Sequence, residues 1–481
     1  MKKIVILLLA LAVCLPATLF AQKHFAFRDG KFKIAQFTDL HWTPQSPNCA
    51  KTEATIRAVL KAEQPDIAIL SGDVVTEDPA MEGWKAVVGI FNEAKVPFVV
   101  TMGNHDAEYM KKDDIYDILL TSPWYAGEKG PEEIMGCGNC VIPVYGSRDK
   151  NKTEALLYCM DSNDYQPDKL YDHYDWIHFD QIEWYRKQSA RFAKENNGRP
   201  VPALAFFHIP LLEYNEIEGD GKTFGNKLEG VASANINSGM FASFIDRKDV
   251  MGVFAGHDHD NDYIGINKGI ALAFGRVTGT DAYGELKRGA RIIELYEGNF
   301  KFDTWITTPD GREPAYYYPS GLNAVEERTM EYMPAVNTPA GKHGVAYTYY
   351  EGKCKRVADI ASATKVKEGV MSNFSIREAA VTDHFAYKFR TLIRIPEKGV
   401  YRFYTFSDDG SMLYIDGKLV VDNDGGHSGR RAEGKIALDK GLHLLQLSYF
   451  EDYMGQELEV GFSGRHIVET PLPADMLYLP D

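Results

Sequence analysis

Gly256-His257-Asp258-His259-Asp260-Asn261-Asp262 is the stretch that decides the fold. It follows Val250-Met251-Gly252-Val253-Phe254-Ala255, an apolar run with the length and composition of a buried strand. If the chain stays extended past Ala255, His257 and His259 project to the same side. Two histidines alone are a weak signal. They gain weight from what stands after four other apolar runs: Asp39 and His41 after 32–37, Asp73 after 66–70, Asn104 and His105 after 97–101, and His208 after 201–207.

Helical spacing fills the gaps between the first of these runs. Ile56, Val59 and Leu60 share one face of 49–63, and Trp84, Val87, Val88 and Phe91 share one face of 81–94. Strands alternating with helices predict an α/β fold, paired in parallel through right-handed crossovers. In such sheets, sites form beyond the carboxyl ends of the strands. Gly72, Gly103 and Gly256 allow the tight turns required there. A less regular insertion spans 107–198, with a strand at 155–160 and an amphipathic helix at 176–194. Strands at 263–266, 270–274 and 291–296 follow. The donors are all oxygen or imidazole nitrogen, a set that suits iron, zinc or manganese.

The pattern Asp39-x-His41, Gly72-Asp73, Gly103-Asn104-His105-Asp106, His208, Gly256-His257-x-His259 resembles the calcineurin-like metallophosphoesterases over residues 33–305. The run from His208-Ile209-Pro210 to Glu213-Tyr214, together with the opening stretch, is most similar to the purple-acid-phosphatase-like branch. The resemblance implies an αββα sandwich holding two divalent or trivalent transition-metal ions. Asp39, His41 and His259 would hold the first ion, Asn104, His208 and His257 the second, and Asp73 would bridge them. His105 would act on the substrate as a general acid or as a stabiliser of phosphoryl charge, with Asp106 orienting its ring. Thr76 stands where the purple enzymes have a metal-binding tyrosine, so no purple colour is expected. Asp39 and Asp73 leave such a site net positive, which suits a phosphate ester. Two ions about 3.5–4 Å apart clamp the attacking and leaving oxygens and make a bridging hydroxide the nucleophile. Monoesters and diesters both fit.

Residues 309–342, rich in proline, glycine and tyrosine, read as a linker between a catalytic domain at 22–308 and a second domain at 343–470. Beyond it the pattern alternates in β fashion at 347–350, 386–395, 399–406, 411–415, 435–438 and 442–450, which predicts an all-β sandwich. Phe406-Ser407-Asp408-Asp409-Gly410-Ser411 and Tyr414-Ile415-Asp416-Gly417 look like the β-domain first named in anthrax protective antigen, over residues 344–464. That resemblance implies calcium held by Asp408 and Asp409, with a glycan bound through the calcium. A plain acidic turn fits the same residues.

A net charge of -15 argues against nucleic acid as a partner. Lys2, Lys3 and the apolar run after them read as a signal peptide at 1–21, cut after Ala21, for export to the periplasm or the exterior. A lipoprotein acylated at Cys14 ranks lower, because Val13 is bulky for the preceding position. No later run has the length to span a bilayer, so no transmembrane segment is expected in the mature chain. Cys49, Cys137, Cys140, Cys159 and Cys354 remain. A local Cys137–Cys140 disulfide and free thiols both fit. His173 and His178 read as packing residues. Glu213 and Tyr214 line the pocket or support it, and Asn261 and Asp262 either orient the histidines or form a turn. An exported dimetal phosphoesterase with a targeting sandwich is therefore expected. The alternative is a catalytically weak scaffold whose sandwich is a glycan-binding module.

Overall fold

The computed structural model describes residues 24–217 and 223–480. The expected leader at 1–21, including Cys14, lies outside the described residues. Among the described residues no helix is long and apolar enough to cross a membrane.

Two mixed sheets pack face to face. The first runs in the order Leu322–Asn323, Tyr316–Tyr318, Phe302–Thr308, Ala290–Tyr296, Lys31–Phe37, Ile67–Ser71, Phe98–Thr101. Its last three strands are parallel, joined through the helices Cys49–Glu63 and Ala80–Ala94. In the second sheet Thr153–Cys159, Ala203–Phe206, Val250–Ala255 and Ile270–Phe274 are parallel neighbours. Phe32, Ile34, Ile67 and Ile69 meet Leu204, Phe206, Phe254 and Ala273 between the sheets. The alternate residues Ala35, Phe37, Ala68 and Leu70 face outward onto Ile56, Trp84, Val87 and Phe91 of the helices. Phe179–Glu195 and Met240–Arg247 cover the other sheet through Ile182, Tyr185, Phe192 and Phe244. Strands buried on both faces need apolar side chains throughout, which is why 250–255 reads as an unbroken run. The Phe179–Glu195 helix begins later than its apolar pattern suggests, because the Gln181 side chain accepts the His178 N–H and closes the helix there.

The expected linker at 309–342 is a linker only in part. Gly311–Arg312 and Tyr316–Tyr318 pair with Phe302–Thr308, and Leu322–Asn323 extends that sheet by one more strand. The helix Ala324–Thr329 follows, closed by a reciprocal cap between Asn323 and Glu326. Tyrosine is a good strand former, and Tyr316, Tyr317 and Tyr318 are all buried. Arg312 pairs with the buried Glu63 at 2.9 Å, and Glu313 with the buried Arg276 at 2.9 Å.

After Tyr332–Met333 the chain forms two further sheets, five- and seven-stranded, around Tyr347, Phe385, Tyr387, Phe403, Leu413, Leu447 and Phe462. This sandwich is docked on the first part. Tyr317 and Leu322 pack against Val400 and Ala437. Lys435 Nζ lies 2.5 Å from Glu326, and Lys301 Nζ lies 3.0 Å from His466 Nδ1. Cys49, Cys137, Cys140, Cys159 and Cys354 are free, and Cys140 stands in register with Cys159, not bonded to Cys137.

A chain ending at Pro309 loses the three buried tyrosines and leaves Arg276 without Glu313. It is expected to aggregate, or to unfold roughly 10 °C or more below a chain ending at Met333. Thermal denaturation of the two chains checks this. Coincident transitions would mean that the strands between 311 and 323 add nothing to the first sheet.

Candidate metal centre

The ends of Lys31–Phe37, Ile67–Ser71 and Phe98–Thr101 in the first sheet deliver Asp39, His41, Asp73, Asn104 and His105. The ends of Ala203–Phe206 and Val250–Ala255 in the second deliver His208, His257 and His259. The centre therefore straddles the carboxyl edges of both sheets.

Asp39, His41 and His259 form one group and Asp73, His208 and His257 another, the donor atoms within each lying no more than 4.8 Å apart. Asp73 touches both: its Oδ2 is 3.1 Å from His208 Nε2 and 3.7 Å from His41 Nε2. His259 Nε2 lies 3.3 Å from Asp39 Oδ1. His41 Nε2, Asn104 Oδ1, His257 Nε2 and His259 Nδ1 are buried with no hydrogen-bond partner. Leaving such groups unpaired costs about 1–3 kcal/mol each, and a cation that accepts their lone pairs removes the cost. On that observation the oxygen and imidazole donors fit metal ions.

The backbone is built around these contacts. Asp39, His41, Asp73 and His257 are left-handed, with φ of 51°, 40°, 49° and 80°. Aspartate and histidine tolerate that region better than most side chains. A Cβ at Gly72 would lie 2.4 Å from His208 Nδ1, and one at Gly103 would lie 2.2 Å from Asp73 Oδ1, so only glycine lets the ligands pack there. The left-handed His257 also corrects the expectation that both histidines project to one side. The chain is not extended after Ala255, and the turn sends His257 to the Asp73 group and His259 to the Asp39 group.

Burial pushes His41 down to about 4 and His257 down to about 3, with His208 adding to the latter. Both rings are neutral with a free lone pair, the form that metal binding needs. Burial acts against the charge on Asp39 and Asp73, but His259 and His208 outweigh it and hold both carboxyls well down. Burial likewise opposes the charge on His208, yet Asp73 raises that ring to about 10. Its Nδ1–H donates to the Ser71 carbonyl at 2.8 Å, so the second proton sits on Nε2 facing Asp73, where a cation would replace it.

His105 lies outside both groups. Its Nδ1 is 2.9 Å from Glu108 Oε1 and its Nε2 is 3.5 Å from the Tyr165 hydroxyl. Asp106, expected to orient this ring, does not reach it. The Asp106 carboxylate accepts the backbone N–H groups of Val74, Val75 and Gly103 at 2.7, 3.2 and 2.7 Å and so ties the Asp73 loop to the Asn104 loop. The chain turns after His105, where the Glu108 N–H donates to the His105 carbonyl, and this brings the Glu108 carboxylate back to the ring. Burial and the Asp73 charge push Asp106 up to about 7. Asn261 and Asp262 do not orient the histidines either. Asn261 accepts from Leu228 and Glu229, and Asp262 accepts from Asn226 and the buried Arg276. The Tyr214 hydroxyl donates to the Val253 and Ala273 carbonyls in the core, and Glu213 accepts from Asn237.

Three tyrosines at the centre carry no motif. The Tyr165 hydroxyl accepts from Asn104 Nδ2 at 2.8 Å. Tyr174 stands edge-on to His257 with ring centres 4.7 Å apart, and Tyr283 stacks on His259 at 3.9 Å. His173 contacts Tyr165 and Tyr174 and not the ligands. In the sandwich, Asp408, Asp409 and Glu451 bring carboxylate oxygens within 4.8 Å of one another. Glu451 is fully buried, its Oε1 has no partner, and burial with Asp409 and Asp408 pushes it up to about 8.

Residues 32–261 match the calcineurin-like phosphoesterase family, and residues 341–464 match the PA14 domain. The chain is 33% identical over 312 residues to the Arabidopsis thaliana protein named probable inactive purple acid phosphatase 29, covering 58% of this chain and 80% of that one. It is 30% identical over 268 residues to phosphatase DCR2 of Saccharomyces cerevisiae, covering 49% of this chain and 45% of that one. A solved dimetal phosphatase from Danio rerio superposes with a TM-score of 0.42 at 12% identity, covering 60% of this chain and 98% of that one. With an αββα sandwich, a histidine–aspartate centre at the edges of both sheets, the two family matches and the similarity to the Arabidopsis protein, the chain belongs to the calcineurin-like phosphoesterase family and carries a C-terminal PA14 domain.

Proposed function

We propose that the chain is an exported dimetal phosphoesterase that hydrolyses a phosphate ester. The observation that carries this is the pair of donor groups, Asp39–His41–His259 and Asp73–His208–His257, with the unpartnered Asn104 Oδ1 beside them. Asp39, His41 and His259 would hold one ion, Asn104, His208 and His257 the other, with Asp73 between. Two ions bound there would supply positive charge against the phosphate and an acidified water.

The rest is done by the chain's own side chains. Tyr165 turns the Asn104 amide so that its Oδ1 is left for the centre. Glu108 engages His105 Nδ1, so Nε2 is the nitrogen that faces substrate. It can give a proton to the leaving oxygen or bond to a phosphoryl oxygen. Asp106 locks the two loops beneath. Thr76 offers no phenolate, so a colourless or weakly coloured protein is expected. Export rests on Lys2, Lys3 and the apolar run that follows. The Arabidopsis relative is named inactive, which favours the alternative of a catalytically weak scaffold with a glycan-binding sandwich. The full set of donors here, all drawn to one centre, supports an enzyme.

A second reading concerns the sandwich. Asp408, Asp409 and Glu451 form an oxygen-only set suited to calcium, which would in turn hold sugar hydroxyls. The buried, unpartnered Glu451 Oε1 supports it.

Elemental analysis is expected to give close to two ions of iron, zinc or manganese per chain, and Asp73→Ala to lose them. A content near zero that resists reconstitution would falsify the dimetal centre. His105→Ala is expected to keep its metal and to lower turnover by roughly 10²–10⁴-fold, with Glu108→Gln lowering it less. Asp106→Asn should instead lower stability and metal retention. Full activity of the His105 variant on all hydrolysed esters would remove its assigned role. For the sandwich, millimolar calcium should raise the unfolding temperature, the stability gained being about 2.7 kcal/mol at a hundredfold excess over Kd. Glu451→Gln should abolish that response, and an unchanged response would exclude this cluster as the calcium site.

A further inference from the structure

We propose that the metal centre selects esters whose leaving group is apolar or aromatic and carries no charge of its own. This rests on the phosphoesterase function proposed above and narrows its substrate class.

The rim of the centre is built of tyrosine rings. Tyr165 and Tyr174 stand on the Asn104 and His257 side with nearly parallel rings, 5.9 Å and 23° apart. Tyr283 stands on the His259 side, stacked by one face on that histidine and 56% exposed. These rings are held in place before any ligand arrives. The Tyr283 hydroxyl donates to Glu229 at 3.0 Å, and Arg288 donates to the carbonyls of Gly279, Ala282, Tyr283, Gly284 and Leu286. Pre-fixed aromatic walls bind a flat or apolar group with little loss of freedom.

The charges at the rim have the wrong sign for a polyanion. Glu108 borders His105, and Glu229 borders Tyr283. Lys169 lies 5.4 Å from the Tyr165 ring centre, and the Arg288 guanidinium is taken up by the backbone carbonyls of the Tyr283 loop. Lys112 is occupied by Asp161 and Asp164 at 2.8 and 3.2 Å. Among the described residues no arginine bonds to a side chain of the two donor groups, Asn104, His105 or the three tyrosines. Arginine forks are the usual means of holding further phosphates or carboxylates. A second anionic group on the substrate would meet Glu108 or Glu229 without such a fork, and like charges at close range repel.

The test uses the full-length, metal-loaded protein and the matched pair phenyl phosphate and 4-carboxyphenyl phosphate. The carboxylated leaving group is intrinsically no worse, so a preference for phenyl reports the site. We expect kcat/KM to favour phenyl phosphate by roughly tenfold, and Glu229→Gln to narrow that ratio. Tyr283→Ser should raise KM for phenyl phosphate by roughly 3–10-fold more than for ethyl phosphate at unchanged metal content, and Tyr283→Phe should restore it. Equal or better turnover of 4-carboxyphenyl phosphate, or of ATP, overturns the charge selection. A KM ratio unmoved by Tyr283→Ser overturns the aromatic wall. Either failure would come with hydrolysis of phenyl phosphate, which keeps the phosphoesterase function. Loaded protein that hydrolyses none of these esters overturns that function and the substrate class together.

Discussion

Asp39 and Asp73 are each 1% exposed and both lie against His208. Two buried carboxylates side by side repel, and both have lost their water. Protons on two of the surrounding imidazoles balance that charge in the absence of cations. His208 and His259 take protons readily, but burial keeps His41 and His257 neutral. The buried His41 Nε2, Asn104 Oδ1 and His257 Nε2 still lack a partner, a need that bound cations would meet. Much of the local structure follows from that need: left-handed turns that aim the carboxylates inward, and glycines at Gly72 and Gly103 where the ligands press on the backbone.

This centre was largely legible in the sequence, for a physical reason. Strands buried on both faces are written as apolar runs, so their ends can be located, and the ligand types stand at those ends. Asp39, His41, Asp73, His208, His257 and His259 were found in that way, and the structure gathers all of them. What sequence spacing cannot give is the direction a side chain takes inside a turn. The apparent same-side pair His257 and His259 is divided by one positive φ. Glu108 takes the place expected of Asp106 because the loop after His105 buries the nearer carboxylate and folds the farther one back to the ring.

The rest was hidden by composition. Tyr165, Tyr174 and Tyr283 come from segments without helical or strand periodicity, and their position depends on tertiary packing of the 107–198 insertion and the 275–289 loop. The short helices Lys112–Leu119 and Met240–Arg247 carry helical spacing, Ile115, Tyr116 and Leu119 in one and Met240, Phe241 and Phe244 in the other, but only over eight residues each, and were not expected. The residues between 309 and 342 mix proline and glycine, which mark turns, with tyrosine, which also favours strands. Pairing with Phe302–Thr308 decides between the two, and that partner strand had not been foreseen.

That same segment joins the two halves of the molecule physically. Asp262 follows the turn that carries His257 and His259, and its carboxylate is bonded to the buried Arg276. Arg276 is in turn paired with Glu313. Tyr317, four residues further on, packs against Val400 and Ala437 of the sandwich. A buried arginine deprived of one partner is costly, on the order of 3–5 kcal/mol when the pair is fully desolvated; Glu313 is partly exposed, so the penalty here is smaller. The segment that follows the His257–His259 turn and the docking face of the PA14 domain are thus connected through one stretch of chain. The sandwich packs on the edge of the first sheet and is not a module on a loose tether. A glycan held at its Asp408–Asp409–Glu451 end would therefore fix the orientation of the metal centre as well as its location.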